Sequence, residues 1–401
     1  MTRANRCAVQ ARVVPALEAW AAALKAQFSG LFVLSVGDNY VRVSPTPQPP
    51  PNPPPSPYAP IRAPQYDGPM PISGNRDSVP LPLSPADLLA ADTDPIWDLS
   101  FRGIYQDPSV SPTVAALPWY LFNGNHDYGG ALESQINWGT PDRIANSGRP
   151  STDRVWRMPA LNWTFPRIPI GDGNTAAGNC ASMIIIDTCP LTTTYRASAG
   201  TDPDRRASTG LPGVFQDQIN KFWTACGGVS TWEQMRWLRD QLKQESAACK
   251  VVFMAGHHPV VGSGQHAHST RQQDLRVRLS FPKVFEWAGV DQYLNGHDHI
   301  VDIVALDGAA SGASGTATLY VTTGAGSNIR TNNQAPIEGT DLSLLVDNGF
   351  TVHSANTTHT MVTTVKWDGS VFFKRAQVVR PKLRDAPRAP PADVDWLQPG
   401  F

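Results

Sequence analysis

The sequence lacks long hydrophobic runs and any strong excess of charge. No stretch of the 401 residues approaches the apolar length that a membrane-spanning helix needs, so we expect no membrane span. The formal net charge of -1 leaves no basic excess of the kind that nucleic-acid binders carry, so we expect no nucleic-acid partner. With 41% hydrophobic residues, the chain is able to bury the core of one large domain or two.

Cysteine is also scarce and lacks the spacing of metal or redox motifs. No two of the five cysteines form a Cys-x-x-Cys pair, which excludes the zinc and thiol-redox motifs that use this spacing. Because their number is odd, at least one cysteine has no partner for an intramolecular disulfide. No signal peptide is visible at Met1, so the sequence itself leaves the cellular compartment unknown.

The N-terminal residues alternate between helix and strand. Apolar residues at spacings of three and four predict an amphipathic helix over residues 9–28, with Pro15 in its first turn and Gly30 at its end. Residues 31–36 predict a short buried strand. Since an α/β domain that opens on a helix lacks the strand that normally precedes it, we expect that the N-terminal strand is missing from this sequence.

The rest of the chain continues the α/β pattern and then changes period. A capping box at Ser230 and Glu233 predicts the start of a helix with Met235, Leu238 and Leu242 on one face. A second helix is expected over residues 275–287. After residue 300 the hydrophobic period becomes two, which favours strands. The predicted strands are 117–122, 182–187, 251–255, 301–304, 317–321, 361–365 and 371–373.

Proline is concentrated in a segment that has no means of forming a packed core. Between residues 42 and 91, runs such as Pro49-Pro50-Pro51 predict a solvated insertion. An alternative role for this tract is a docking site for a proline-reading partner. Residues 381–401, rich in proline and arginine, predict a loosely ordered tail.

Four patches share one pattern, in which an apolar strand runs into glycine and then into residue types that bind metals. The patches occupy residues 33–40, 121–127, 252–259 and 293–300. Glycine allows a sharp turn where a strand ends, and α/β folds gather their sites at the carboxyl ends of strands. We therefore expect the four patches to converge on one centre.

The candidate ligands in these patches suit two metal ions. They are Asp38, Asn125, His257, His297 and His299. A carboxylate is able to bridge two metals, while neutral imidazoles and an amide oxygen complete the coordination. Two such metals lower the pKa of a bound water and neutralise charge on a phosphoryl group under in-line attack. The pattern therefore indicates phosphoester hydrolysis.

The motifs themselves carry a family resemblance. They are Gly37-Asp38-Asn39, Gly124-Asn125-His126-Asp127, Gly256-His257-His258-Pro259 and Gly296-His297-Asp298-His299. Together they resemble the motifs of the calcineurin-like metallophosphoesterases, most nearly those of the small, tartrate-resistant type of purple acid phosphatase. The resemblance implies an α/β fold, a four-layer α/β/β/α sandwich with two packed mixed sheets. It also implies one catalytic domain over residues 1–380, with the proline-rich insertion inside it.

The resemblance assigns a role to each metal ligand. Asp38 would bridge the two metals, one being iron and the other zinc, manganese or iron. The divalent ion would be held by Asn125, His257 and His297, and the ferric ion by His299.

The resemblance also assigns the groups that meet the substrate. His126 would face the phosphate with Asp127 steadying its ring, and His266 would donate a proton to the leaving group. His268 is a competitor for that last role. His258 stands where the family usually has tyrosine.

The sequence departs from the family at the ferric position. The family opens with a strand ending in Asp-x-Gly, whose Asp is a ligand, and no such motif lies between Met1 and Gly37. The family's ligand tyrosine falls at Val41, and Tyr40 stands one place early. As written, the ferric site keeps two ligands, Asp38 and His299, whereas the divalent site is intact.

These observations lead to one expected function and two alternatives. The resemblance implies hydrolysis of small phosphate monoesters by an acid phosphatase, with metal-bound water or hydroxide as the nucleophile. One alternative is a phosphodiesterase or nucleotide phosphatase that uses the same site. The other is a catalytically impaired protein that keeps the fold as a binding or structural module. From the family, a secreted, lysosomal or vacuolar location is expected.

Overall fold

The structure, a computed structural model, describes twelve stretches of the chain. They are residues 11–28, 30–37, 101–125, 127, 132–138, 155–192, 231–267, 269–306, 317–326, 329, 341–392 and 394. The predicted insertion over residues 42–91 lies outside these stretches, as do Asp38, Tyr40, Val41, His126 and His268.

The helices lie mainly in the first third and in the middle of the chain. Their bounds are α1 Val14–Lys25, α2 Gly103–Tyr105, α3 Pro112–Ala116, α4 Leu132–Trp138, α5 Thr231–Ala248, α6 Thr270–Gln273 and α7 Phe281–Ala288. A 3-10 turn covers Thr175–Ala177, and a π-helical turn covers Asp274–Arg278. No described helix combines the length and the apolar character that crossing a bilayer requires.

The strands are short at the start of the chain and longer toward its end. Their bounds are β1 Val33–Ser35, β2 Trp119–Leu121, β3 Trp156–Arg157, β4 Trp163–Thr164, β5 Ile168–Pro169, β6 Cys180–Ile185, β7 Val251–Ala255, β8 Gln292–Asn295, β9 Val301–Ala305, β10 Leu319–Thr323, β11 Asp341–Leu345, β12 Gly349–Ala355, β13 His359–Lys366 and β14 Val371–Val378.

The largest sheet is mixed and has a parallel centre. Its strand order is β11-β9-β10-β8-β7-β6-β4, with β5 also paired to β6. Strands β6, β7, β8 and β10 lie side by side and run parallel. Strands β4 and β5 pair antiparallel with β6, and β9 pairs antiparallel with β10. Every residue of β7 is buried. A parallel strand that is covered on both faces needs a continuous apolar run, and β7 has one.

Two three-stranded sheets form the second layer. One is parallel with the order β1-β2-β3, and the other is antiparallel with the order β12-β13-β14. Their apolar side chains, among them Leu34, Tyr120 and Val362, pack against Phe253 and Leu319 of the largest sheet. The core between the two layers therefore holds the sandwich together.

Helices cover both outer faces. Val252 and Met254, which point away from the inner core because strand side chains alternate, pack in one cluster with Leu238 of α5 and Phe285 of α7. On the far side, Leu17 of α1 packs in a cluster with residues of β1 and β2. The order helix, sheet, sheet, helix confirms the predicted four-layer α/β/β/α sandwich.

Several elements differ from the sequence-based expectation. The strand predicted over residues 31–36 shortens to β1 and is half-buried, because β1 pairs on one side only within the described sheets. The single helix predicted over residues 275–287 is wrong. Ser280 adopts a positive φ of 51°, and Pro282, which has no N–H to donate, lies in the first turn of a new helix. Strands β11 and β12 were not predicted.

Part of the tail that was expected to be loosely ordered is anchored in the interior. The Lys382 ammonium is fully buried and lies 2.9 Å from Oδ2 of Asp291. Asp291 also accepts hydrogen bonds from the backbone N–H groups of Val252, at 2.9 Å, and Arg380, at 2.8 Å. Burial raises the pKa of Asp291 and lowers that of Lys382, and the opposite charge of each partner counters both shifts. The end of the catalytic domain at residue 380 stays a prediction.

A disulfide ties two neighbouring strands at their amino ends. Cys180, the first residue of β6, is bonded to Cys249, which lies just before β7, with the Cα atoms 4.9 Å apart. The link closes a loop of 69 residues, and cross-links of that length constrain the unfolded chain strongly.

The buried ion pair gives a stability prediction. Replacing Lys382 with methionine leaves Asp291 buried without its countercharge, so we expect Lys382→Met to lower the free energy of unfolding by about 3–5 kcal/mol in urea titrations. Lys374→Met, at an exposed position on β14, is the matched control. A loss no larger than that of the control would show that the pair does not anchor the tail.

A histidine between the layers gives a pH prediction. His353 of β12 bonds through Nδ1 to Oε1 of Gln292 at 2.7 Å, and burial lowers its pKa to about 4. The unfolded chain, with a histidine pKa of about 6.5, binds more protons between these values, so stability falls as the pH falls from about 6.5 to 4.

His353→Gln removes the histidine whose pKa differs between the folded and the unfolded chain. We therefore expect the free energy of unfolding of this variant to decrease less on acidification than that of the wild type. His359→Gln, at an exposed position, is the control. Equal pH slopes for His353→Gln and the wild type would contradict the prediction.

Candidate metal centre

The two layers meet at the carboxyl ends of four strands. Gly37 follows β1, Asn125 follows β2, His257 follows β7 and His297 follows β8. All four chain segments turn into loops at this one edge of the sandwich. The convergence that the sequence predicted from its four patches is therefore present for the segments that the structure describes.

Close backbone approach explains the glycine at the first of these turns. Gly37 has a φ of 95°, which side-chain-bearing residues rarely adopt. A Cβ atom there would lie 2.5 Å from Nδ1 of His257 and 2.8 Å from the backbone N of Gly124. Only glycine therefore allows the segment after β1 to lie directly against the imidazole of His257.

The ring of His257 lies at the centre of a short chain of contacts. Its Nδ1 lies 2.9 Å from the carbonyl oxygen of Val36, and its Nε2 lies 3.0 Å from Oδ1 of Asn125 and 3.1 Å from Nδ1 of His297. His257 is fully buried, and Asn125 and His297 are each less than one-tenth exposed. Three of the predicted ligands are thus brought together out of water.

This arrangement fits a metal ion. The carbonyl of Val36 only accepts hydrogen bonds, so Nδ1 of His257 carries the proton and Nε2 presents a lone pair. That lone pair points at the amide oxygen of Asn125, which is also an acceptor, at 3.0 Å. Two lone-pair donors at this distance suit coordination to one metal ion. Neutral nitrogen and oxygen donors are those that zinc and related divalent metals prefer.

His258 lies beside the same cluster. One ring nitrogen from each of His257, His258 and His297 lies within 4.8 Å of those of the other two, and all three residues are buried. Nδ1 of His258 lies 2.8 Å from Oγ1 of Thr188, which also accepts the backbone N–H of His258 at 3.1 Å. The hydroxyl of Thr188 therefore sets the position and orientation of this ring.

His266 stands at the open side of the cluster. Its ring centroid lies 4.4 Å from that of His297. Asp298 accepts the backbone N–H of His266 at 3.1 Å, and the same Oδ1 lies 4.0 Å from Nε2 of the ring. The loop that carries His266 is thus held by the acid between the two histidines of the His297-Asp298-His299 motif.

The described contacts of the Asp127 side chain differ from the predicted contact with the ring of His126. Its Oδ2 accepts the backbone N–H of Gly124 at 2.8 Å, and its Oδ1 accepts a hydrogen bond from Nε2 of Gln135 at 2.9 Å. These bonds hold the loop after β2 against α4. Its predicted partner His126 lies outside the described residues, so the steadying of that ring stays a prediction.

The ferric half of the predicted centre is only partly described. His299 is half-buried and borders a cavity of about 800 Å³ that is lined largely by apolar residues of α1, β1 and β12. Neither His257 nor His297 lines this cavity, nor does Asn125, and an apolar space does not suit a charged phosphate. The cavity therefore borders the cluster through Gly37 and Gly296 without being lined by its ligands.

Two residues near the cluster were not predicted from the sequence. Thr188 follows the buried strand β6, as the candidate ligands follow their strands. The residues after β6 contain neither the glycine nor the histidine that marks the other patches. Asp298 lies inside a motif that was recognised, and its contact with His266 depends on a loop 32 residues away in the sequence. Only the folded chain shows this contact.

The chain is similar in sequence to known acid phosphatases. No family model matches it. The chain is 27% identical over 214 residues to Purple acid phosphatase 4 of Arabidopsis thaliana, covering 53% of this chain and 48% of that protein. It is 25% identical over 299 residues to tartrate-resistant acid phosphatase type 5 of Rattus norvegicus, covering 71% of this chain and 74% of that protein. The chain thus spans about half the length of the Arabidopsis relative.

A solved structure shares the fold over nearly the whole chain. It is described as GAP50, the anchor in the inner membrane complex of Plasmodium, and it matches with a TM-score of 0.58 at 15% identity, covering 93% of this chain and 86% of that one. At this identity the match concerns the fold alone. The sequence matches show that this chain resembles the purple acid phosphatases, including the tartrate-resistant type.

Proposed function

We propose that this chain is an acid phosphatase that hydrolyses small phosphate monoesters at a dinuclear metal centre. The observation that carries the proposal is the convergence of Oδ1 of Asn125, Nε2 of His257 and Nδ1 of His297, at 3.0 and 3.1 Å. These neutral ligands would hold a divalent metal without cancelling its charge. When bound, the metals would supply an activated water and would neutralise charge on the phosphoryl group.

The second metal position belongs to the proposal as well. Asp38 would bridge the ions, and His299 would bind the iron, with zinc, manganese or iron as the second metal. Gly37, packed against His257, brings the chain to the cluster just before Asp38. His299 follows His297 by two residues.

The chain's own groups would bind and protonate the substrate. His126 would face the phosphate from the loop that Asp127 holds. His266 lies beside His297 and is kept there by Asp298, which suits a donor of a proton to the leaving oxygen. A phosphodiesterase would use the same metals, and a binding protein would need neither His126 nor His266.

Removal of one metal ligand tests the hydrolytic function. We expect the metal-loaded chain to hydrolyse aryl phosphate faster than bis-aryl phosphate, and His297→Ala to reduce kcat/KM by at least about 100-fold, since loss of even a partner of a metal ligand costs about 10–100-fold. His359→Ala, at an exposed histidine, is the control. Faster hydrolysis of the diester would favour the phosphodiesterase, and no hydrolysis of either ester would favour the binding protein.

The proton donor has a test of its own. We expect His266→Gln to lower kcat by about 100-fold or more for phenyl phosphate and by much less for p-nitrophenyl phosphate, because a good leaving group needs no proton. Steady-state kinetics with both esters measure the difference, and KM is expected to change little. An equal loss for both esters would assign His266 to substrate binding or to structure.

A further inference from the structure

The position of His258 extends the candidate metal centre beyond the ligand set that the family resemblance supplies. We infer that His258 is an additional ligand of the divalent metal, so that three imidazoles and one amide oxygen would hold this ion beside the bridging Asp38. The residues are Asn125, His257, His258 and His297. The inference rests on the proposed metal centre, but not on hydrolytic activity.

The first support is the geometry of the three histidines. One ring nitrogen of each histidine lies within 4.8 Å of one ring nitrogen of the other two. The ring centroid of His258 lies 4.5 Å from that of His297 and 5.0 Å from that of His257. Nitrogen ligands bind zinc at about 2.0 Å, so the ligand atoms of one ion lie close together. The three rings are therefore near enough to share one metal ion after a small movement of the His258 ring.

The second support is the way in which the ring is held. Nδ1 of His258 is engaged by Oγ1 of Thr188 at 2.8 Å, so Nε2 is the atom that we assign to the metal. Metal-binding histidines typically use their other ring nitrogen in a hydrogen bond of this kind, which fixes the tautomer and the ring orientation. The same oxygen accepts the backbone N–H of His258 at 3.1 Å, so ring and backbone are positioned together.

The third support is burial without an acidic group among the four ligands. His257 and His258 are fully buried, and His297 is 6% exposed. Three imidazoles and one amide oxygen form a neutral set that suits zinc or cobalt and does not suit calcium or magnesium, which prefer carboxylate and other oxygen ligands. Four protein ligands would also let this position bind its metal when the ferric position is empty.

Cobalt(II) is a suitable probe, because its visible absorption changes with the number and type of its ligands. The full-length chain is stripped of metal and titrated with cobalt(II), first as wild type and then as His258→Gln. We expect visible bands of cobalt bound to imidazole at one equivalent in the wild type. In His258→Gln we expect a changed visible spectrum and an affinity lower by at least about tenfold. His359→Gln, at an exposed histidine, should behave as the wild type.

A second variant covers the case in which His258→Gln fails to fold. Thr188→Val keeps His258 but removes the hydroxyl that orients it, so we expect cobalt(II) binding weaker by about 10–100-fold. Wild-type spectrum and affinity in a folded His258→Gln would overturn the inference and leave the proposed phosphatase untouched. Absence of cobalt binding to the wild type would overturn both. The expected spectra without hydrolysis of any ester would overturn the proposed function alone.

Discussion

The contact between His257 and the carbonyl of Val36 is the constraint on which the candidate centre depends. It joins the end of β7 in the large sheet to the end of β1 in the smaller parallel sheet. The same bond fixes the tautomer of His257, which directs Nε2 toward Asn125 and His297. If the two layers were displaced by a few ångströms, the ring would lose this partner, and the ligands would no longer face one point. The site therefore forms only when the two layers are packed in this position.

The molecule separates the groups that stabilise it from the groups that are able to react. The disulfide between Cys180 and Cys249 and the buried pair of Lys382 with Asp291 lie at the amino ends of the central parallel strands. The histidines lie at the carboxyl ends of the same strands. Among the described residues, this arrangement keeps the disulfide and the buried ion pair at the edge opposite to the candidate centre.

The histidine-rich half of the centre also gives a physical reason for the position of Asp298. The neutral ligands Asn125, His257 and His297 cancel none of the charge of a bound divalent cation, which attracts a phosphate dianion. A second carboxylate at the metal, beside the bridging Asp38, would reduce that attraction. Asp298 is instead turned to the loop of His266, where it holds the backbone N–H at 3.1 Å. The acid thus positions a candidate proton donor without entering the predicted ligand set.

The sequence by itself determined the fold class and the strand ends that carry Asn125, His257 and His297, because glycine after an apolar run marks where a strand turns. It also contains Pro282, a residue type typical of the first turn of a helix. Only the tertiary structure decided that His258 joins the cluster, that Thr188 orients it, and that the segment around Lys382 is buried. These outcomes arise from the packing of residues far apart in the chain, whereas hydrophobic period and turn residues describe only the local conformation.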